Sequence, residues 1–88
     1  MALVRIYDFA EGTLEQYDRL MSRFEGALAP GNLLHASGAF ASGFRALDVF
    51  ESREAADRVF ALVAEAAQGV GLTPPEISEF ETHNLLRA

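Results

Sequence analysis

The sequence contains no cysteine and no lysine, and each absence removes a class of chemistry. Without cysteine the chain can form no disulfide, no thiolate nucleophile and no cysteine-based zinc or iron–sulfur site. Without lysine it cannot form a Schiff base. The seven basic residues are all arginines, they face 13 acidic residues, and the net charge is −6. Because phosphate groups are bound by basic patches, this balance argues against nucleic acid or an anionic membrane as a partner.

The length and the apolar pattern indicate one small domain, residues 1–88. A chain of 88 residues buries only a modest core, and half of these residues are apolar. The N-terminal stretch "MALVRIYDF" lacks the charged and apolar regions of a signal peptide, and no apolar run is long enough to span a bilayer. We therefore expect a soluble cytoplasmic protein.

The first part of the chain predicts a strand and a helix. Leu3 to Phe9 alternates and ends in "EG", as a strand followed by a turn does. Thr13 and Gln16 fit a capping box. Apolar residues then repeat at three- and four-residue steps, which predicts a helix ending before Pro30, with an apolar face made of Leu14, Tyr17, Leu20, Met21, Phe24 and Leu28.

The rest of the chain predicts a hairpin, a second helix and a last strand. Strands at 33–40 and 44–51 are joined by "ASG", where Gly43 is expected to supply the freedom of a tight turn. Ser52 can cap a helix that Gly69 and Gly71 end. The segment 76–86, "EISEFETHNLL", alternates at its start and predicts a fourth strand.

This order of elements predicts an α+β fold of the ferredoxin-like βαββαβ type. Right-handed crossovers then give a four-stranded antiparallel sheet with two helices on one face. The other face is left bare, although the central hairpin has apolar residues on both sides. An apolar face of that size is an association surface, so we expect a homodimer formed sheet to sheet.

Three stretches make the sequence resemble a known superfamily: "NLLHASG", "DVFES" entering the second helix, and "FETHNLL". The pattern resembles small members of the dimeric α/β-barrel superfamily, of the antibiotic-biosynthesis monooxygenase and polyketide cyclase-like kind. The resemblance implies fold and dimer but no single reaction, because the superfamily also includes isomerases, haem-degrading enzymes and proteins of unknown role. Haem degradation is the least expected, because the chain has no tryptophan to match the aromatic beside the haem in those members.

His35, Ser37 and Asp48 are the first candidate site residues. A turn at Ser42 and Gly43 would pair Ser37 with Asp48 and His35 with Phe50, so that the three polar residues share one face. A histidine oriented by a carboxylate can act as a general base. A self-satisfied buried polar cluster is an equal alternative for His35 and the stronger one for Asp48. A Ser-His-Asp acyl-transfer triad is disfavoured, because the chain has no "GxSxG" turn.

His83 is a second acid/base candidate near the end of the chain. On a strand it would share a face with Glu79 and Glu81, and imidazole with carboxylates suits several divalent ions. An exposed or interface histidine is the commoner outcome, so we expect no metal. Asn84, on the opposite face, could orient a substrate carbonyl or bond the backbone.

Two further groups could bind substrate. Tyr7 and Arg5 share one face of the central first strand, where a phenol and a guanidinium could hold an enolate, carboxylate or quinone oxygen. Arg5 could equally pair with a carboxylate across an interface. Phenylalanines could line an aromatic pocket or fill the core, and Phe50 is the one placed near His35.

The hypothesis that follows is an enzyme without a cofactor. It would act on an aromatic or polyketide-like small molecule by histidine-mediated proton transfer, allowing cyclisation, isomerisation or oxygenation. The alternative is a non-catalytic dimer that binds a small molecule or serves as an accessory protein. An enclosed cavity reached by His35 favours the enzyme, and a filled interior favours the alternative.

Overall fold

The computed structural model describes residues 1–88 as one four-stranded sheet and two helices. The elements in chain order are β1 (Leu3–Phe9), α1 (Leu14–Ser22), β2 (Asn32–Phe40), β3 (Gly43–Phe50), α2 (Arg53–Gly69) and β4 (Glu76–Glu81). The sheet has the order β2-β3-β1-β4, and every neighbouring pair is antiparallel. The predicted ferredoxin-like βαββαβ fold is therefore confirmed. No helix combines the length and the apolar character needed to cross a membrane.

Alternation along β1 decides which residues meet the helices. Leu3, Arg5, Tyr7 and Phe9 point to the helix-covered face, and all four are buried. The core on this face has two parts. One gathers Tyr7, Phe9 and Phe44 with Leu20 of α1 and the end of α2, and the other packs Leu3 and Phe50 against the start of α2.

Helix α1 begins as predicted but ends early. The Thr13 hydroxyl accepts a hydrogen bond from the Gln16 backbone N–H, and the Gln16 side-chain oxygen accepts one from the Thr13 backbone N–H, which forms the predicted capping box. The helix ends at Ser22, whereas the apolar repeat predicted a helix reaching Leu28. Glu25 and Gly26 have φ of 54° and 70°, so the chain leaves the helix there in left-handed conformations.

The hairpin register differs from the prediction by two residues. The turn lies at Ala41 and Ser42, with Phe40 opposite Gly43, so His35 pairs directly with Asp48 and Ser37 with Ala46. Ala41, with φ of 53°, adopts the left-handed turn conformation. Gly43 is needed for another reason: any side chain there would collide with the Phe9 carbonyl.

Strand β4 is shorter than predicted. It ends at Glu81, opposite Leu3 of β1, and the backbone N–H of Thr82 donates to Ala2 in the last bond of the pair. His83 and Asn84 therefore lie beyond the strand, and the predicted sharing of a strand face by His83 with Glu79 and Glu81 is wrong. Helix α2 begins as predicted, with the Ser52 hydroxyl accepting from the Ala55 backbone.

Candidate functional site

The site is built on the paired residues His35 of β2 and Asp48 of β3. Both side chains point to the helix-covered face, and the Nδ1 atom of His35 lies 2.7 Å from Oδ1 of Asp48. The side chains are 18% and 7% exposed, so the pair is largely removed from water. Because a carboxylate only accepts hydrogen bonds, Nδ1 of His35 donates, and in the neutral ring Nε2 is left to accept.

Tyr17 of α1 supplies the partner for that second ring nitrogen. Its hydroxyl lies 2.6 Å from Nε2 of His35, and the two rings are parallel within 1°. The Tyr17 ring also packs edge-on against Phe44, with centroids 5.3 Å apart, which fixes its position on the sheet. The result is a continuous chain of hydrogen bonds, Tyr17–His35–Asp48, that joins α1 to the two hairpin strands.

Asn32 joins this chain because of a β-bulge. Asn32 lies opposite Phe50 and Leu34 opposite Val49, so Leu33 is the extra residue on β2. The bulge returns Asn32 to the helix-covered face, where its amide Nδ2 donates to Oδ1 of Asp48 at 3.1 Å. Asp48 is therefore held by two donors, and the bulge lies outside the His35–Asp48 pairing.

A cavity of about 50 Å³ opens beside this pair, between the helices and the sheet. His35, Asp48 and Asn32 form its polar end, and eight apolar residues form the rest of the wall, among them Phe24 and Met21. Leu28 and Leu62 line it as well and are about half exposed, so they mark an apolar mouth. Early termination of α1 places Phe24 and Leu28 in this wall.

A smaller cavity of about 30 Å³, the inner cavity, also borders the pair and is lined by core residues such as Phe9 and Phe44. Tyr7, Tyr17, His35 and Asp48 are its polar lining. Met21 lines both cavities, and its unbranched side chain is the most adaptable group between them.

Tyr7 lines the inner cavity, and its hydroxyl is buried and has no hydrogen-bond partner. Burial raises the pKa of Tyr7 to about 12, and the neighbouring Arg5 guanidinium offsets only part of that rise. Tyr7 therefore stays a neutral phenol that can donate a hydrogen bond. The Oδ1 atom of Asn32 is the other buried side-chain atom without a partner. Unpaired buried polar atoms are costly, so these two need an explanation.

The Arg5 guanidinium is bonded to carboxylates, and Arg5 lines neither cavity. Its guanidinium donates two bonds to Glu79, at 2.8 and 2.9 Å, and two to Asp57 at 3.3 Å. Glu79 also binds Arg53 at 2.6 Å. Burial is the largest influence on the pKa of Arg5 and acts to lower it, but Glu79 and the neighbouring Tyr7 together outweigh burial and the pKa is raised. The guanidinium thus links β1, β4 and α2.

The remaining predicted site residues lie apart from the cavity. Ser37 is exposed on β2 opposite Ala46, and Phe50 is fully buried in the core against α2. His83 and Asn84 are exposed beyond β4. Across residues 1–88, no three histidine or carboxylate side chains lie close enough together to hold a metal ion. The structure thus brings together His35, Asp48 and Tyr7 of the predicted set.

Sequence reasoning missed Tyr17 and Asn32. The sequence places Tyr17 on the apolar face of α1, but a buried tyrosine needs a partner for its hydroxyl, and that need is the signal that points to a polar neighbour. Asn32 gave no signal, because its contact with Asp48 depends on the bulge at Leu33.

Comparison with solved structures finds chains of similar fold over nearly their whole length. The first is a protein from Deinococcus radiodurans provisionally assigned as an antibiotic biosynthesis monooxygenase, 14% identical, with a TM-score of 0.64 over 100% of this chain and 98% of the other. SnoaB, a cofactor-independent oxygenase from Streptomyces nogalater, is 18% identical, with a TM-score of 0.61 over 99% and 96%. A monooxygenase from the gene ActVA-Orf6 of Streptomyces coelicolor, solved with nanaomycin D, is 18% identical, with a TM-score of 0.61 over 99% and 91%.

The chain has the fold of these oxygenases. The resemblance seen in the sequence is thereby confirmed at the level of the ferredoxin-like fold of the antibiotic-biosynthesis monooxygenases. No family model and no curated protein matches the chain.

Proposed function

We propose that this protein is a small-molecule enzyme of the antibiotic-biosynthesis monooxygenase and polyketide cyclase-like kind, working by proton transfer at His35. The observation that carries the proposal is the hydrogen-bonded His35–Asp48 pair at the polar end of an apolar cavity. A histidine oriented by a carboxylate, largely shielded from water and reached by a cavity, is suited to general acid–base catalysis.

The apolar wall supports an aromatic or polyketide-like substrate. A cavity of about 50 Å³ is smaller than the ~150 Å³ that encloses benzene, so it admits only the reacting end of such a molecule. The rest of the substrate would lie on Leu28 and Leu62 at the mouth. Tyr7 lines the inner cavity, and as a neutral donor without a partner it would stabilise a negatively charged substrate oxygen that reaches that cavity.

A homodimer belongs to this proposal. Leu34, Phe40 and Phe80 lie on the sheet face that the helices leave open, and they are 50%, 45% and 57% exposed. A second copy packed sheet to sheet would cover them. None of the named site residues lies on that face, so the proposed dimer leaves the cavity open.

Deuterium exchange into an aromatic ketone tests the proposed function. The acidic CH₂ group of 2-tetralone serves as the probe, and oxygen uptake by the same mixture separates oxygenation from simple proton transfer. We expect the wild type to exceed the buffer rate and His35→Gln to lose roughly 10²–10⁴-fold of that excess. His83→Gln, the matched control, should keep it. Full activity in His35→Gln with a lowered melting temperature would identify a structural histidine instead.

The alternative function is a binding or accessory protein without catalysis. The small volumes of the two cavities favour it, because an interior that is nearly filled needs no reaction to explain its polar pair. Binding of 2-tetralone by the wild type with no exchange above the buffer rate would support this alternative.

A further inference from the structure

His35 has no free ring nitrogen with which to meet a substrate. Nδ1 is bonded to Asp48 at 2.7 Å and Nε2 to Tyr17 at 2.6 Å, both short distances. A substrate that approached Nε2 directly would have to displace the Tyr17 hydroxyl. The Tyr17 ring is held in place by its edge-on contact with Phe44, which opposes that displacement.

We propose that Tyr17 is the catalytic residue that exchanges a proton with the substrate, and that His35 and Asp48 are positioning residues that receive the proton through it. This inference rests on the proposed function, because it assigns the atoms of the same reaction. It also predicts that the reacting group of the substrate reaches beyond the 50 Å³ cavity into the inner cavity, which Tyr17 and Tyr7 both line.

The proton balance of the step is complete without any further reagent. The substrate C–H or O–H proton passes to Oη of Tyr17 as the proton already on that oxygen passes to Nε2 of His35. The products are a substrate enolate or phenolate and an imidazolium that faces the Asp48 carboxylate. The unpartnered Tyr7 hydroxyl donates to the new anion. The reverse transfer, to a different substrate atom, completes an isomerisation or cyclisation.

Two observations indicate that Asp48 can stabilise the imidazolium that forms at His35 in this step. Asp48 is bonded only to His35 and to the neutral amide of Asn32, so no cation competes for its charge. Arg5 lies directly opposite Asp48 in the neighbouring strand, but its guanidinium is directed at Glu79 and Asp57. An imidazolium would be the only positive partner that Asp48 has.

Tyr17→Phe is the variant that tests this assignment. It removes one oxygen and keeps the ring that packs on Phe44, so the fold is expected to survive. With 2-tetralone as probe, we expect kcat for deuterium exchange to fall roughly 10²-fold or more, with little change in KM. A variant that exchanges as fast as the wild type overturns the assignment to Tyr17 while leaving the proposed function intact.

Nitrogen NMR of the His35 ring gives a readout that does not depend on activity. In the neutral ring of the wild type we expect the proton on Nδ1 and a hydrogen-bonded Nε2, and in Tyr17→Phe an Nε2 signal shifted to that of a free acceptor. Identical Nε2 signals in the two proteins would contradict the Tyr17–His35 bond. Absence of exchange in the wild type, with the expected NMR difference, would instead overturn the proposed function together with the catalytic role of Tyr17.

Discussion

Removal of the Tyr7 hydroxyl best distinguishes a functional role from a structural one. The hydroxyl is buried without a partner, and such a group costs about 1–3 kcal/mol. Tyr7→Phe removes that cost and keeps the ring that stacks on Phe60. We expect the variant to be as stable as the wild type or up to ~1 kcal/mol more stable in urea unfolding, and to exchange 2-tetralone more slowly. Lower stability with unchanged exchange would show that the hydroxyl is structural.

The same residue gives the protein a defined response to alkaline pH. Because burial raises the pKa of Tyr7 to about 12, the unfolded chain loses this proton near pH 10 while the folded chain keeps it. The folded state then binds more protons than the unfolded state, so stability falls as pH rises from about 10 to 12. Tyr7→Phe should show a shallower fall in unfolding experiments across that window, and equal slopes would contradict the shifted pKa.

At the level of single residues, the sequence could predict that His35 and Asp48 lie close together but not which residues surround them. The sequence predicts His35 and Asp48 on one face because strand residues two apart share a face. A shift of the hairpin register by two residues does not change that face, so the prediction holds in the observed register. The direct partnership required the true turn at Ala41 and Ser42. Tyr17 comes from a helix distant in sequence, so its bond to His35 depends on how α1 packs on the sheet.

Among the elements, β4 depends most on side-chain ion pairs. Its six residues are all exposed, and Glu79 holds it to Arg5 and Arg53. We expect Glu79→Gln to lower stability by about 1 kcal/mol, a discounted value because Glu79 is partly exposed. Glu76→Gln, on the opposite face of the same strand, is the matched control. Equal melting temperatures for both variants would show that backbone bonds alone hold β4.

Acid should weaken the same element. The bond from Arg53, and then that from Arg5, lower the pKa of Glu79 in the folded protein. A carboxyl with a depressed folded pKa stabilises above its unfolded value and loses that stabilisation as pH falls through the folded value. Stability should therefore fall as pH drops below about 4.5, and it should fall less steeply in Glu79→Gln. Parallel pH curves for the variant and the wild type would contradict this account.

The errors in element bounds have physical causes. The apolar repeat continued past the end of α1 because Phe24 and Leu28 are needed in the cavity wall, and periodicity does not distinguish a helix from a loop that packs on the same side. Strand β4 was predicted too long because a strand ends where its partner does. Its partner β1 begins at Leu3, opposite Glu81, and the alternation within 76–86 gives no information about where β1 begins.

For the whole molecule, the proposed dimer is the prediction with the largest effect. Phe80 and Leu34 stand exposed on the open sheet face. We expect light scattering at micromolar concentration to give the mass of two chains, and Phe80→Arg to give one. Leu14→Arg, an equally large change at a half-exposed position of α1, should remain dimeric. A monomeric wild type would rule out the sheet-to-sheet dimer.

The βαββαβ order was predictable because each element has its own sequence signal and the handedness rules leave few ways to connect them. The functional site was less predictable, because it combines a strand pair, a bulge and a helix that only the folded chain brings together. Similarity to solved oxygenases of 14–18% identity establishes the fold, and the reaction has to be argued from the residues around His35.

A crystal structure of the protein with 2-tetralone bound would show whether a small molecule binds beside His35. We expect the ring to lie on Leu28 and Leu62 at the cavity mouth, and the ketone oxygen to lie within hydrogen-bond distance of the Tyr17 or Tyr7 hydroxyl. Met21 should have moved to join the two cavities, since it lines both. A ligand bound on the open sheet face, or a cavity that stays closed at saturating ligand, would contradict a small-molecule site at His35.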